Sequence, residues 1–210
     1  MSAKDLLDIT EPPATLSGIE KAIHECRRCP IGFLENQAVM GEGLKKSTLM
    51  VVGEQPGDQE DLAGKPFVGP SGQLLDRYLV EAGIDRRQVY VTNAVKHFKF
   101  VWRGKRRLHQ SPTAKEIDIC RFWLDGELAI VRPKIVLALG ASAARGVLGK
   151  SMTISKARGH PLPQENGPEV WVTAHPSYLL RLRDEMKEQQ ERLFRADLAA
   201  VAERLGELAG

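Results

Sequence analysis

The sequence predicts an α/β domain of three layers, α/β/α, built on a central four-stranded parallel sheet. Two observations predict it. Four short, nearly all-apolar runs, at 48–53, 89–93, 135–139 and 170–174, alternate with segments of helical periodicity. That alternation belongs to parallel sheets whose strands are covered on both faces. Three of the runs also end in chemically pointed residues: Glu54 follows the first, Asn93 closes the second and His175 follows the fourth. In such sheets ligands sit beyond the carboxyl ends of the strands.

Each element has a local reason. Residues 1–16 read as a loose arm punctuated by Pro12-Pro13, and 17–210 as a single domain. A helix is expected from about Ser17, its N-cap, to Glu25, delivering Cys26-Arg-Arg-Cys29. The first strand runs into Gly53-Glu-Gln-Pro-Gly57. This turn matches neither a Walker loop nor G-x-G-x-x-G, but it sets a carboxylate at the mouth of the sheet. Residues 58–72 read as a polar loop containing Lys65-Pro-Phe67-Val-Gly-Pro-Ser71. Leu74, Leu75, Tyr78, Leu79 and Ala82 then share a helix face that Gly83 ends. Thr113 and Glu116 make a T-x-x-E capping box. The helix it opens carries Ile117, Cys120, Leu124, Leu128 and Val131 inward and stops at Pro133. Another helix follows Gly140, and 178–208 reads as one helical segment with a solvated, mixed-charge face. Taken singly, Phe67 and Cys120 read as packing residues and His175 as a structural histidine.

The bulk properties exclude several classes. Of 210 residues, 42% are hydrophobic and 27% charged, with a formal net charge of +3; this is an ordinary globular balance that permits an acidic partner. Three cysteines are too few for a disulfide scaffold, and C-x-x-C reads as a metal or redox pair in a reducing compartment. The N-terminus lacks a signal-peptide pattern, and no window approaches the ~20 apolar residues of a membrane span. A soluble, cytoplasmic monomer is expected. The charge is unevenly placed: Lys96, Lys99, Arg103, Lys105, Arg106 and Arg107 lie between 96 and 110 with no acid, interleaved with Phe98, Phe100 and Trp102. Cations match phosphates and aromatic faces match unstacked bases; a solvated basic loop is the plainer alternative.

In order, GEQPG, KPFVGPSG, TNAVK, the T-x-x-E…C helix, LGASAA and HPSYLLR resemble the uracil-DNA glycosylase superfamily, specifically its iron–sulfur branch, family 4. The similarity covers roughly residues 20–185. Two departures stand out. Gln55 replaces the usual alanine of GEAPG, and His97 stands where the branch has a cysteine. Together with Lys105-Arg-Arg-Leu-His109, in place of a K-R-R-I-H loop, they resemble the UdgX-type glycosylases of bacteria, which become covalently joined to the abasic site they make.

The resemblance implies a uracil-DNA glycosylase fold acting on uracil-containing DNA, single-stranded first and double-stranded as a further candidate. It implies a 4Fe-4S cluster on Cys26, Cys29, His97 and Cys120. Glu54, His109 and His175 are implied as catalytic: His175 for the charge on the leaving uracil, Glu54 for the oxocarbenium-like sugar, and His109 as the nucleophile. Phe67 would stack on the base and Asn93 would bond its edge, with Gly53, Gln55 and Gly57 lining the substrate. Lys105, Arg106, Arg107 and Ser177 would touch DNA. The alternatives are a turning-over glycosylase with His109 as a DNA contact, and a non-catalytic iron–sulfur protein that binds uracil or abasic DNA.

Overall fold

A computed structural model describes residues 9–162, 164–165 and 167–209. Its centre is a sheet of four parallel strands, β1 (Leu49–Gly53), β2 (Val89–Asn93), β5 (Ile135–Leu139) and β6 (Glu169–Thr173), ordered β2-β1-β5-β6. The register is continuous: Gly53 pairs with Asn93, and Leu139 with Thr173. Successive side chains of a strand point to opposite faces, so the apolar runs supply two cores. Met50, Val52, Tyr90, Val136 and Val172 pack under α1 (Leu16–His24), α4 (Ala114–Val131) and α5 (Gly140–Leu148). Leu49, Val51, Val91, Leu137 and Trp171 pack under α3 (Pro70–Glu81), α7 (Pro176–Arg181) and α8 (Asp184–Ala209). The three-layer α/β/α expectation holds.

The structure departs from the sequence reading at several ends. The N-cap of helix α1 lies two residues early, because Thr15 rather than Ser17 caps it by accepting the Gly18 N–H at 3.1 Å. Of the arm expected over 1–16, residues 1–8 lie outside the described residues. Ile9 packs against the core and its carbonyl accepts from Arg28. The loop expected over 58–72 contains α2 (Asp58–Ala63) and the start of α3. A further one-turn helix, α6 (Ile154–Ala157), precedes β6. The final helical segment is two helices, broken before Asp184, which sits at φ +54°.

The largest departure concerns the basic stretch. It is an antiparallel hairpin, β3 (Phe100–Arg103) and β4 (Arg106–His109), pairing Phe100 with His109 and Trp102 with Arg107. Gly104 turns it at φ +62°, as the first central position of a two-residue type II′ hairpin turn requires. Phe98 and Phe100 are buried beneath it and offer no face to a ligand, whereas Trp102 is exposed.

Candidate active site

The carboxyl ends of β1, β2 and β6 deliver Glu54, Asn93 and His175 to one edge of the sheet, as the topology requires. The capping box Thr113/Glu116 starts α4 as expected and leaves Cys120 buried on its inner face.

Gly53 is where Asn93 and Phe67 come together. A Cβ there would lie 2.4 Å from Asn93 Oδ1 and 2.7 Å from the tip of the Phe67 ring. Both side chains therefore lean over a residue that must lack one. Phe67 is held at φ +57°, a left-handed conformation costly for a bulky residue and concentrated at functional sites. Asn93 is 3% exposed, yet its amide makes no hydrogen bond to the protein among the described residues. The residue is enclosed but its amide atoms keep some access to solvent, and with donor and acceptor both unspent they are free to meet a ligand. Lys96 fixes the backbone behind it, donating from Nζ to Asn93 O at 2.8 Å and Thr92 Oγ1 at 2.7 Å and pairing with the carboxylate of Glu127. Lys96 and Glu127 are both fully buried. Glu127 also accepts from Gly41 N–H, Tyr90 and Thr92, so the ion pair is thoroughly hydrogen-bonded.

Beside Asn93 and Phe67, Glu54 receives His109 Nε2 at 3.2 Å on Oε1 and Ser142 Oγ at 2.5 Å on Oε2. Burial works to raise its pKa. The hydrogen bonds from His109 and Ser142 lead the opposing effects and outweigh burial, so the carboxyl sits below its ordinary value and is ionised. His175 caps α7. Its Nδ1 accepts the backbone N–H of Ser177 at 3.1 Å and lies 2.8 Å from Ser177 Oγ. A backbone N–H can only donate, so the ring proton of neutral His175 is on Nε2. Burial lowers its pKa to about 4 against the opposing pull of Glu54. At neutral pH the residue is an uncharged donor.

Several expected contacts are already occupied. The side-chain amide of Gln55 is spent on the hairpin: its Nε2 donates to the carbonyls of Lys99 and Gln110, and its Oε1 accepts from Lys99 N–H at 3.1 Å. Gly57 spends its N–H on Glu60, as the N-cap of α2. Arg107 is engaged by Asp58 at 2.7 Å and by Asp61, with its guanidinium 5.1 Å from the Phe100 ring centre. Ser177 serves His175 and receives Arg181. Among the described residues the side chains of Lys105 and Arg106, at the hairpin tip, have no ion-pair or hydrogen-bond partner. Sequence reasoning did not single out Ser142, Asp58, Asp61 or Lys96–Glu127. The signal for Ser142 was present: a serine in the first turn after β5, at the same sheet edge as Glu54.

The expected cluster ligands share one region. Cys26, Cys29 and Cys120 are free, buried thiols in the same core cluster. Burial raises the Cys120 pKa to about 12, and Cys26 and Cys29 add to the rise, so the three sulfurs lie within electrostatic reach. Trp123 Nε1–H and Lys96 N–H point at Cys26 and Cys120 sulfurs, each at 3.3 Å. His97, next to Lys96, is buried and kept neutral, its pKa lowered to about 4 by burial and then by Arg27 and His24. Among the described residues no three His, Cys, Asp or Glu side chains converge as for a single metal ion. The donor set is soft and buried. Elsewhere, a cleft of about 470 Å³ opens at the opposite end of the sheet, by Leu49, Val89 and Leu205; it gathers none of these groups.

The family model that matches is the uracil DNA glycosylase superfamily, over residues 40–199. The chain belongs to the uracil DNA glycosylase superfamily. The type-4 uracil-DNA glycosylase of Thermotoga maritima is 37% identical over 166 residues, covering 79% of this chain and 83% of that protein. That of Archaeoglobus fulgidus is 32% identical over 203 residues, covering 93% and 94%. That of Sulfurisphaera tokodaii is 33% identical over 174 residues, covering 79% and 76%. In this superfamily member the matched span begins at Met40, before β1, and ends within α8, so it takes in the whole sheet and every residue of the Glu54 and Asn93 sites. No described helix is long and apolar enough to cross a membrane.

Proposed function

We propose that this chain excises uracil from DNA, as the names of its type-4 relatives state of them. The observation that carries the reading is the unspent amide of Asn93 beside Phe67, next to Glu54 and a neutral His175. An Asn amide presents one donor and one acceptor, which matches the alternating edge of uracil. The base must leave the stack or come from a single strand; it would lie under Phe67 with its edge on Asn93. The C1′–N1 bond breaks and its electron pair leaves with uracil. The His175 Nε2–H donates to the oxygen on which that charge gathers, an oxyanion-type stabilisation. Ionised Glu54 stabilises the positive charge developing on the sugar; water then adds its oxygen to C1′, and the proton it sheds neutralises the uracil anion.

Cys26, Cys29, His97 and Cys120 would hold a 4Fe-4S cluster, for which their soft, buried donor set is suited. Imidazole can replace thiolate on cluster iron, as in Rieske centres. When bound, it would supply structural cross-linking of α1, the segment after β2, and α4.

A second reading is favoured by one observation: His109 is 3.2 Å from Glu54 on a pinned hairpin. In that UdgX-type reading, the Nε2 proton of His109 passes to Glu54 as an Nε2–C1′ bond forms. Glu54 becomes neutral, the imidazole is left alkylated and uncharged, and uracil departs with the electron pair. A positioned group competes well with water, since effective molarities reach about 10⁵–10⁸ M. One experiment tests both readings. Protein and a His109→Ala variant are incubated with a labelled oligonucleotide containing one uracil, then boiled in SDS. Alkali-labile abasic DNA from both proteins, with no slow band, supports hydrolysis alone. A slow band from the unaltered protein only supports capture by His109. Intact uracil in every lane would sink both.

A further inference from the structure

The structure sorts the six cations of the basic stretch into two classes. Lys96 pairs with Glu127, Lys99 with Glu116 at 2.8 Å, and Arg107 with Asp58 and Asp61. Arg103, Lys105 and Arg106 are exposed and have no ion-pair or hydrogen-bond partner among the described residues. These three surround the hairpin turn, and among them stands Trp102. The chain has three tryptophans; Trp123 and Trp171 are 1% and 6% exposed, but Trp102 is 56% exposed. Among the described residues its one ring neighbour is Phe100, set perpendicular to it with centroids 5.5 Å apart, and at 56% exposure much of the indole is left to solvent.

The register decides what that face looks toward. Phe100 pairs with His109, and Trp102 lies two residues further along β3, hence on the same face of the hairpin. Two residues of strand advance about 7 Å, roughly one nucleotide of an unstacked single strand. From the sugar that His109 and Glu54 address, this is the reach to a neighbouring nucleotide. A free aromatic face among three uncompensated cations fits a chain of anionic links carrying flat, unpaired rings. An acidic peptide would satisfy the charges but leave the indole face unused. A closed duplex keeps its base faces stacked on one another.

We propose that Trp102 stacks on the unpaired base beside the target nucleotide while Arg103, Lys105 and Arg106 hold the flanking phosphates, so that the hairpin tip favours single-stranded DNA. The inference rests on the uracil-DNA glycosylase reading of the same site and adds the strand class and the residue that selects it.

The test uses intrinsic fluorescence, because Trp102 is the one exposed tryptophan. Titrating the whole protein with a uracil-free oligothymidylate should quench its emission, and a Trp102→Ala variant should show no such quenching. By anisotropy of the labelled oligonucleotide, Trp102→Ala should bind about 5- to 100-fold more weakly, the range expected for one base–aromatic stack. Trp102→Phe should restore most of the affinity, and a blunt duplex should lose less than the single strand. A uracil oligonucleotide with a baseless spacer next to the target, on one side, should erase the difference between wild type and Trp102→Ala. Unquenched emission at saturation, or equal affinities for wild type and Trp102→Ala, overturns the proposal. Quenching by uracil-free DNA without any uracil excision would sink the glycosylase reading, and with it the placement beside a target nucleotide. Excision with no quenching would sink only the proposal.

Discussion

Replacing Gln55 by alanine should unlock the hairpin without unfolding the domain. The Gln55 amide makes three hydrogen bonds to backbone, two to carbonyls at 3.2 Å and one from an N–H at 3.1 Å, all at Lys99 and Gln110. These residues are the two feet of the hairpin, which also bond each other through Gln110 N–H and Lys99 O at 3.0 Å. At a net ~1 kcal/mol for each bond, Gln55→Ala should cost the closed hairpin about 2–3 kcal/mol. That is roughly a 30- to 150-fold shift in its closed-to-open ratio. Limited trypsinolysis reads this directly, because Arg103, Lys105, Arg106 and Arg107 all lie in the hairpin and cleavage tracks the open population when reclosing is fast. Cleavage within 103–107 should accelerate by that factor, while cleavage in the terminal helices stays at the wild-type rate. If His109 is the nucleophile, an SDS-stable adduct should fall more than abasic product, since only capture needs the hairpin held against Glu54. Cleavage at the wild-type rate would refute the clamp. The strand ladder and Arg107 would then suffice, and Gln55 would need another role.

Three further outcomes are expected. Lys96→Met strands the Glu127 carboxylate in the core; loss of one partner of a buried pair costs about 3–5 kcal/mol, measurable in urea unfolding, and a Lys96→Met/Glu127→Gln double variant should recover part of it. His175 has its pKa lowered from its ordinary 6.5 to about 4, so the unfolded chain binds the extra proton first as pH falls. Its contribution is therefore present above pH 6.5 and is lost as pH drops toward 4. A His175→Gln variant should show a shallower fall of stability across that window, by at most ~3 kcal/mol. Finally, Cys120→Ser should abolish the brown visible absorbance and stoichiometric iron of anaerobically purified protein, and absence of iron from the unaltered protein would remove the cluster.

Much of the site could be read before the fold was seen because a parallel sheet brings strand ends together. Glu54, Asn93 and His175 are far apart in sequence, yet each terminates a buried apolar run, and that suffices to gather them. The hairpin was less legible. Phe100-Val-Trp-Arg103 and Arg106-Arg-Leu-His109 lack a clean period of two, because one face meets the protein through an arginine and the other is solvent. Arg107 looked like a phosphate ligand because its carboxylate partners, Asp58 and Asp61, lie more than forty residues earlier. Long-range ion pairs leave no local pattern. The break before Asp184 was equally hidden, since no glycine or proline marks its left-handed backbone.

Residues 54 to 61 supply both the acid of the site and the fastenings of the hairpin: Glu54 meets His109, Gln55 holds the two feet, and Asp58 and Asp61 grip Arg107. Carboxylate and imidazole are thus mounted on one bracket. The hairpin is therefore not portable by itself. Grafted into a relative with alanine at the position of Gln55, Lys105-Arg-Arg-Leu-His109 would arrive without its mounting, and its histidine would swing free of the carboxylate. Grafted together with Gln55, Asp58 and Asp61, it would carry its own alignment.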